Sequence, residues 1–185
     1  VAVFGVADTL RPQSAEAVAL LKALNVEPVM LTGDNPATAR AIADQVGIVD
    51  ARGNLLPEDK QAIIAELAER RGAVGMVGDG VNDAPALAQA DVGIAMGAGT
   101  AHAVNTSNVT LMTNDLNRLP YALKLAKATM RNIYSNVAFS IGIKLIVFAL
   151  ALAGLGTLWM AVLADTGAAL LVTLNGMRMA RYEAK

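Results

Sequence analysis

The sequence predicts an α/β domain built on a parallel sheet, followed by a transmembrane α-helical hairpin. Three observations predict it. Short β-branched runs alternate with helix patterns through the first two thirds of the chain. Two apolar stretches of about 20 residues occupy most of the last third. The charge balance reverses between the two parts: residues 1–120 carry 8 Lys+Arg against 14 Asp+Glu, and residues 121–185 carry 7 against 2.

The composition narrows the function classes. The 185 residues are 55% hydrophobic and 17% charged, with a mean hydropathy of +0.46. Such a chain is neither disordered nor collagen-like. It has no Cys, so it holds no disulfide framework and no thiolate metal site. A formal net charge of −1 argues against a nucleic-acid partner, and none is expected.

The expected strands are Val1–Val6, Pro28–Leu31, Ala73–Val77, Val92–Ala95 and Val109–Met112. Pro12 and Ser14 open a helix that runs through Leu20, Leu21 and Leu24. Asn35-Pro36 opens a second, with Asn35 as N-cap and Pro36 at the first helical position. Pro57 opens a third, on which Ile63, Ile64 and Leu67 share a face. Strands alternating with helices imply a parallel sheet with helices on both sides, and ligands bind such sheets at the carboxyl ends of the strands.

The residues after those strands carry chemistry. Thr32-Gly33-Asp34 follows one, and Gly78-Asp79-Gly80-Val81-Asn82-Asp83 follows another. Asp79 and Asp83 supply hard oxygen ligands suited to Mg2+. Thr32 can hydrogen-bond a phosphoryl oxygen, and Lys60, at a helix start in Pro57-Glu58-Asp59-Lys60, can neutralise a transferring phosphate. Taken singly, Thr32-Gly33-Asp34 could be an ordinary turn and Lys60 a solvated helix residue. The ordered set is what phosphoryl transfer at Mg2+ requires.

That set, Thr32-Gly33-Asp34, Pro57-x-x-Lys60 and Gly78 through Leu87, closely resembles the phosphorylation domain of P-type ATPases, which have the haloacid-dehalogenase-like (Rossmann-type) fold. Asp8-Thr9-Leu10-Arg11-Pro12 is similar to the segment that joins their nucleotide domain back to it. The resemblance implies that ATP is the phosphate donor. It implies that Thr32, with Gly33 and Asp34, contacts the phosphoryl group, that Lys60 stabilises the phosphoaspartate, and that Asp79 binds Mg2+. It further implies that Asn82 and Asp83 complete the phosphate and metal site. The family's phosphorylated aspartate lies in an Asp-Lys-Thr-Gly-Thr motif, which these 185 residues do not contain. Val1 stands within an apolar run without an initiator Met, so the chain is expected to be the C-terminal part of a pump, inactive by itself. After Gly99-Thr100, where many relatives carry acids, this chain has Ala101, Asn105 and Asn108.

The apolar stretches run from about residue 133 to 153 and from about 157 to 177, with Gly154-Leu155-Gly156 as the turn. Lys124, Lys127 and Arg131 precede them, and Arg178, Arg181 and Lys185 follow. Both ends are therefore expected on the cytoplasmic side. The expected organisation is a cytoplasmic phosphorylation domain over 1–118 and a connector helix with two spans over 119–185. A bacterial plasma membrane is the expected location. Trp159 suits the far interface.

Only Lys144 and Asp165 are charged within the apolar stretches, each near the middle of one. A charge there costs on the order of 3 kcal/mol on insertion scales, and such groups are functional by default. At similar depth in an antiparallel hairpin they can pair. One reading is a salt bridge that only fixes helix register. The other is a carboxylate that binds a cation beside a built-in counter-ion. By resemblance, Asp165 in Leu163-Ala164-Asp165-Thr166-Gly167 is the last-helix metal ligand of the zinc/cadmium/lead-exporting branch, and Lys144 is its counter-ion. An oxygen ligand without thioether partners suits Zn2+ better than Cu+. The expected partners are the lipid bilayer, a divalent metal and the missing N-terminal part of the pump. The alternative is a non-catalytic, membrane-anchored regulatory or binding module derived from such a pump. A membrane-tethered phosphatase of the same fold group is a third reading.

Overall fold

The structure is a computed structural model that describes residues 13–78, 81–97 and 101–181. The expected strand Val1–Val6, the segment Asp8–Pro12, and Asp79 and Gly80 lie outside the described residues. The chain divides into two compact units, Val1–Pro120 and Tyr121–Lys185.

In the first unit, helix α1 (Gln13–Ala23) buries Ala17 and Leu21 and leads to strand β1 (Val29–Leu31). Helix α2 (Pro36–Val46) starts as its sequence dictates. Asn35 Oδ1 accepts from the Thr38 N–H at 2.9 Å, Pro36 opens the first turn, and Gly47 closes the helix in the left-handed region at φ 78°. Strand β2 (Asp50–Arg52) follows, then helix α3 (Pro57–Arg71), where Asp59 reaches back to accept from the Leu56 N–H at 2.9 Å. Strand β3 (Gly75–Gly78) runs toward a short 3-10 turn at Val81–Asp83 and helix α4 (Ala84–Gln89). Strand β4 (Val92–Ala95), helix α5 (Ala101–Thr106) and strand β5 (Val109–Thr110) complete the unit.

Among the described residues every strand pairing is parallel, as the α/β pattern requires. β1 pairs with β2, Val29 opposite Asp50, and β3, β4 and β5 form a second sheet in that order. The core lies where helices cover these strands. Ile64 of α3 and Leu87 of α4 pack with Met76 and Ala95, while Ala43, Val46 and Ile48 form a second cluster with Met30. Ile94, Met96 and Leu111 form a third.

Strand β2 is absent from the sequence-based expectation, and its residues say why. Asp50-Ala51-Arg52 has no β-branched side chain. The strand is instead held by its ladder to β1 and by Arg52, which donates to Asp50 at 3.2 Å and to Glu66 at 3.5 Å. The bond to Asp50 is the chief reason that the Arg52 guanidinium is held above its usual range.

The second unit is a helical hairpin. Residues 119–131 and the first apolar stretch form one continuous helix, α6 (Arg118–Leu152). Pro120 falls in its first turn, where no N–H is needed. Helix α7 (Leu158–Met177) follows, capped by Thr157, whose hydroxyl accepts from the Met160 N–H at 3.3 Å. Both helices are long and apolar enough to cross a membrane. Between them Gly154 takes φ 76°, and the Leu155 N–H reaches back to the Leu150 carbonyl at 3.0 Å. A Cβ on Gly156 would stand 2.7 Å from Ala151 Cα, so the close return of the chain depends on glycine there. Near the other end, Asn132 and Asn136 hydrogen-bond to Asn175 across the hairpin.

Candidate active site and hairpin ion pair

Thr32, Gly33 and Asp34 leave the carboxyl end of β1. The Thr32 hydroxyl donates to Asp34 Oδ2 at 3.1 Å and accepts from the Asp34 N–H at 3.1 Å. The backbone of Thr32 is held on both sides, its N–H by the Arg52 carbonyl at 3.0 Å and its carbonyl by the Leu55 N–H at 3.1 Å. A residue that sequence reasoning passed over makes this possible. A Cβ on Gly53 would lie 2.7 Å from the Asp34 carbonyl oxygen and 2.9 Å from Pro36 Cα, so only glycine lets the two loops close on each other. Its signal was faint, a single glycine inside Arg52-Gly53-Asn54.

Lys60 stands in the first turn of α3 and donates from Nζ to Asp83 Oδ1 at 2.8 Å. The two side chains are only 14% and 16% exposed, which shields the pair from most of the solvent. Gly78 ends β3 directly beneath. A Cβ there would lie 2.8 Å from Asp83 Cβ, so the missing side chain is what lets Asp83 fold back toward the strand end. Asn82 is exposed on the same turn. Among the described residues, then, the candidates are joined as two pairs, Thr32 with Asp34 and Lys60 with Asp83. Asp79 lies outside the described residues. No group of three or more acidic, His or Cys side chains converges among the described residues.

Asn108 also has a defined task. Its side-chain oxygen accepts from the Gly93 N–H at 2.8 Å, and its own N–H donates to the Gly93 carbonyl at 2.8 Å. It thereby ties the start of β5 to the middle of β4.

In the hairpin, Lys144 Nζ lies 3.2 Å from Asp165 Oδ1. Both side chains are largely exposed on the hairpin surface, at 65% and 72%. The pair is therefore not sealed between α6 and α7, and a ligand or a further protein element can reach the carboxylate.

Comparison with known proteins gives this geometry a lineage. A haloacid dehalogenase-like hydrolase model matches residues 1–91. The chain is 50% identical over 185 residues, 99% of its length, to a probable cadmium-transporting ATPase of Listeria monocytogenes, of which it covers 26%. It is 48% identical over 184 residues, 98% of its length, to a cadmium/zinc-transporting ATPase of Oryza sativa subsp. japonica, covering 17% of that protein. Its fold superposes with a TM-score of 0.88 on the crystal structure of a zinc-transporting PIB-type ATPase in the E2.Pi state. That match is at 46% identity, over 93% of this chain and 28% of the other. The chain belongs to the P-type ATPase family. It spans about a quarter of the Listeria protein and of the solved pump. The match to P-type ATPases extends beyond residues 1–91 through both membrane-capable helices, so the hairpin shares the lineage of the α/β unit.

Proposed function

We propose that this chain forms part of an ATP-driven exporter of Zn2+, Cd2+ or Pb2+. It would supply a cytoplasmic phosphorylation domain over 1–118, a connector, and two membrane spans. The rest of the pump would supply the acceptor aspartate. The observation that carries the reading is the Lys144–Asp165 pair at 3.2 Å on two helices apolar enough to span a bilayer. Charges at mid-membrane are costly and are kept chiefly where they function.

The α/β unit holds the parts for handling an aspartyl phosphate. Lys60 is a shielded cation on the first turn of α3, paired with Asp83 beyond the end of β3, and its ammonium can share its protons between Asp83 and a phosphoryl oxygen. The Thr32 hydroxyl, now turned to Asp34, can rotate to donate to the same phosphate. Asp83, with Asp79, offers the hard carboxylate oxygens that Mg2+ prefers, and Lys60 engages only Oδ1 of Asp83. Bound there, Mg2+ would offset the charge on the transferring phosphoryl group.

In the hairpin, Asp165 would bind the transported cation and Lys144 would yield to it. A divalent cation attracts the carboxylate more strongly than an ammonium does. When the site rearranges, the ammonium returns to the carboxylate and the metal leaves. The flanking cations Arg131 and Arg178 favour both helix ends in the cytoplasm, and a bacterial plasma membrane suits the relationship to the Listeria protein.

The test uses the full-length pump in proteoliposomes. Asp165→Ala should abolish zinc- and cadmium-stimulated ATP hydrolysis while phosphorylation by inorganic phosphate persists. Undiminished metal stimulation in that variant would overturn the assignment.

A further inference from the structure

The hairpin has a second polar contact between its helices. Asn175 of α7 donates from Nδ2 to Asn136 Oδ1 at 2.7 Å and also to Asn132 Oδ1. Asn132 Nδ2 returns a bond to the Asn175 carbonyl oxygen at 3.3 Å, and the Arg178 guanidinium donates to Asn175 Oδ1 at 3.3 Å. The three Asn side chains are half-buried on a hairpin whose apolar side chains are mostly exposed. Asn132 and Asn136 sit one turn apart and face α7 together.

The spacing of this cluster matches that of the ion pair. At the α-helical rise, Asn132 and Asn136 lie about 18 and 12 Å along α6 from Lys144. Asn175 lies about 15 Å along α7 from Asp165. The two polar rungs are thus equally far apart on both helices. A slide of one helix against the other by a turn would break both rungs at once. Leu, Ile and Val contacts along the rest of the hairpin slide with little penalty, whereas amide bonds do not.

We propose that Asn132, Asn136 and Asn175 form a clasp that holds α6 and α7 in the register bringing Lys144 to Asp165. They are positioning residues, acting on the cation site through those two charges. The functional consequence rests on the reading of Asp165 as a metal ligand. The register itself does not.

Two measurements on the full-length pump separate these levels. First, Lys144→Cys and Asp165→Cys are combined and bridged with a short bifunctional thiol reagent, with each single Cys variant as control. Adding Asn175→Ala should lower the bridging yield several-fold, and Asn175→Gln should restore part of it. An unchanged yield overturns the clasp, whatever the pump carries. Second, with Lys144 and Asp165 intact, Asn175→Ala should lower the zinc concentration for half-maximal hydrolysis at least threefold, because the competing ammonium is no longer held at Asp165, with the KM for ATP unchanged. That decrease should vanish in a Lys144→Ala background. An equal change in both backgrounds, or an increase, marks an effect that does not run through Lys144 and overturns the positioning role. Should Asn175→Ala not fold, Asn136→Ala, which leaves the Asn132–Asn175 bonds in place, should show a smaller change in the same direction. A pump without zinc-stimulated hydrolysis in its unaltered form overturns the functional reading alone, and the bridging yield then decides the clasp.

Discussion

Lys60 reaches across 2.8 Å to Asp83 and so joins the first turn of α3 to the turn that leaves β3. The two residues are 23 positions apart in sequence, yet each is fixed by its own local device. Pro57 and Asp59 set the start of α3, and Gly78 leaves room for the Asp83 side chain.

The cation is expected to be indispensable to phosphorylation. Lys60→Ala in the full pump should lower the rate of phosphoenzyme formation from ATP on the order of a hundredfold, as loss of a positioned charge donor does elsewhere. Phosphoenzyme formed at the original rate, read by acid-quenched radiolabel, would remove Lys60 from the mechanism.

Gly78→Ala tests the packing beneath that pair. The new methyl would stand 2.8 Å from Asp83 Cβ and 3.0 Å from Oδ2, closer than side chains approach. Asp83 must turn away, breaking its bond to Lys60, at a cost of about 1–3 kcal/mol. Thermal unfolding of the pump should shift down and phosphorylation should fall together. Normal phosphorylation with the variant fully folded would show that Asp83 does not need its present position.

Lys144→Ala should act on release rather than binding. Without the ammonium, nothing intrinsic to the hairpin competes for Asp165, so zinc should remain on the purified pump after extensive washing, at higher occupancy than in the parent. Equal retention, measured by elemental analysis, would show that the lysine only balances charge.

Asn35→Ala should be mild and confined to folding. It removes the bond to the Thr38 N–H and should destabilise by about 1 kcal/mol, with phosphorylation kinetics unchanged in the folded fraction. A collapse of phosphorylation instead would mean that the α2 cap also orders the Thr32–Asp34 loop next to it.

Much of this was readable from the residues because their signals are local. Asn35-Pro36 and Gly47 bracket α2, and Val92–Ala95 is an apolar β-branched run that became β4 over those same residues. Two long apolar stretches around Gly154 could hardly be other than a hairpin of helices. What escaped depends on partners distant in sequence. Asp50-Ala51-Arg52 is a strand only because β1 lies beside it. Gly53 looks like any loop glycine until the Asp34 carbonyl is placed against it. Asn132, Asn136 and Asn175 are unremarkable polar residues near helix ends until the hairpin folds them together. Lys144 and Asp165 were legible individually, as isolated charges in apolar runs, and their matching depth followed from the hairpin.

The turn between α6 and α7 sets how this part of the molecule meets the far side of a membrane. Five residues, Ala153 to Thr157, separate the helices, none is charged, and the chain doubles back tightly enough that Gly156 tolerates no side chain. With both helices in a bilayer, so short a turn would leave little chain beyond it. Neither helix can cross without drawing the other after it, so the two should enter the bilayer as one event. Once there, they offer a protease or antibody on the opposite side almost nothing to grasp.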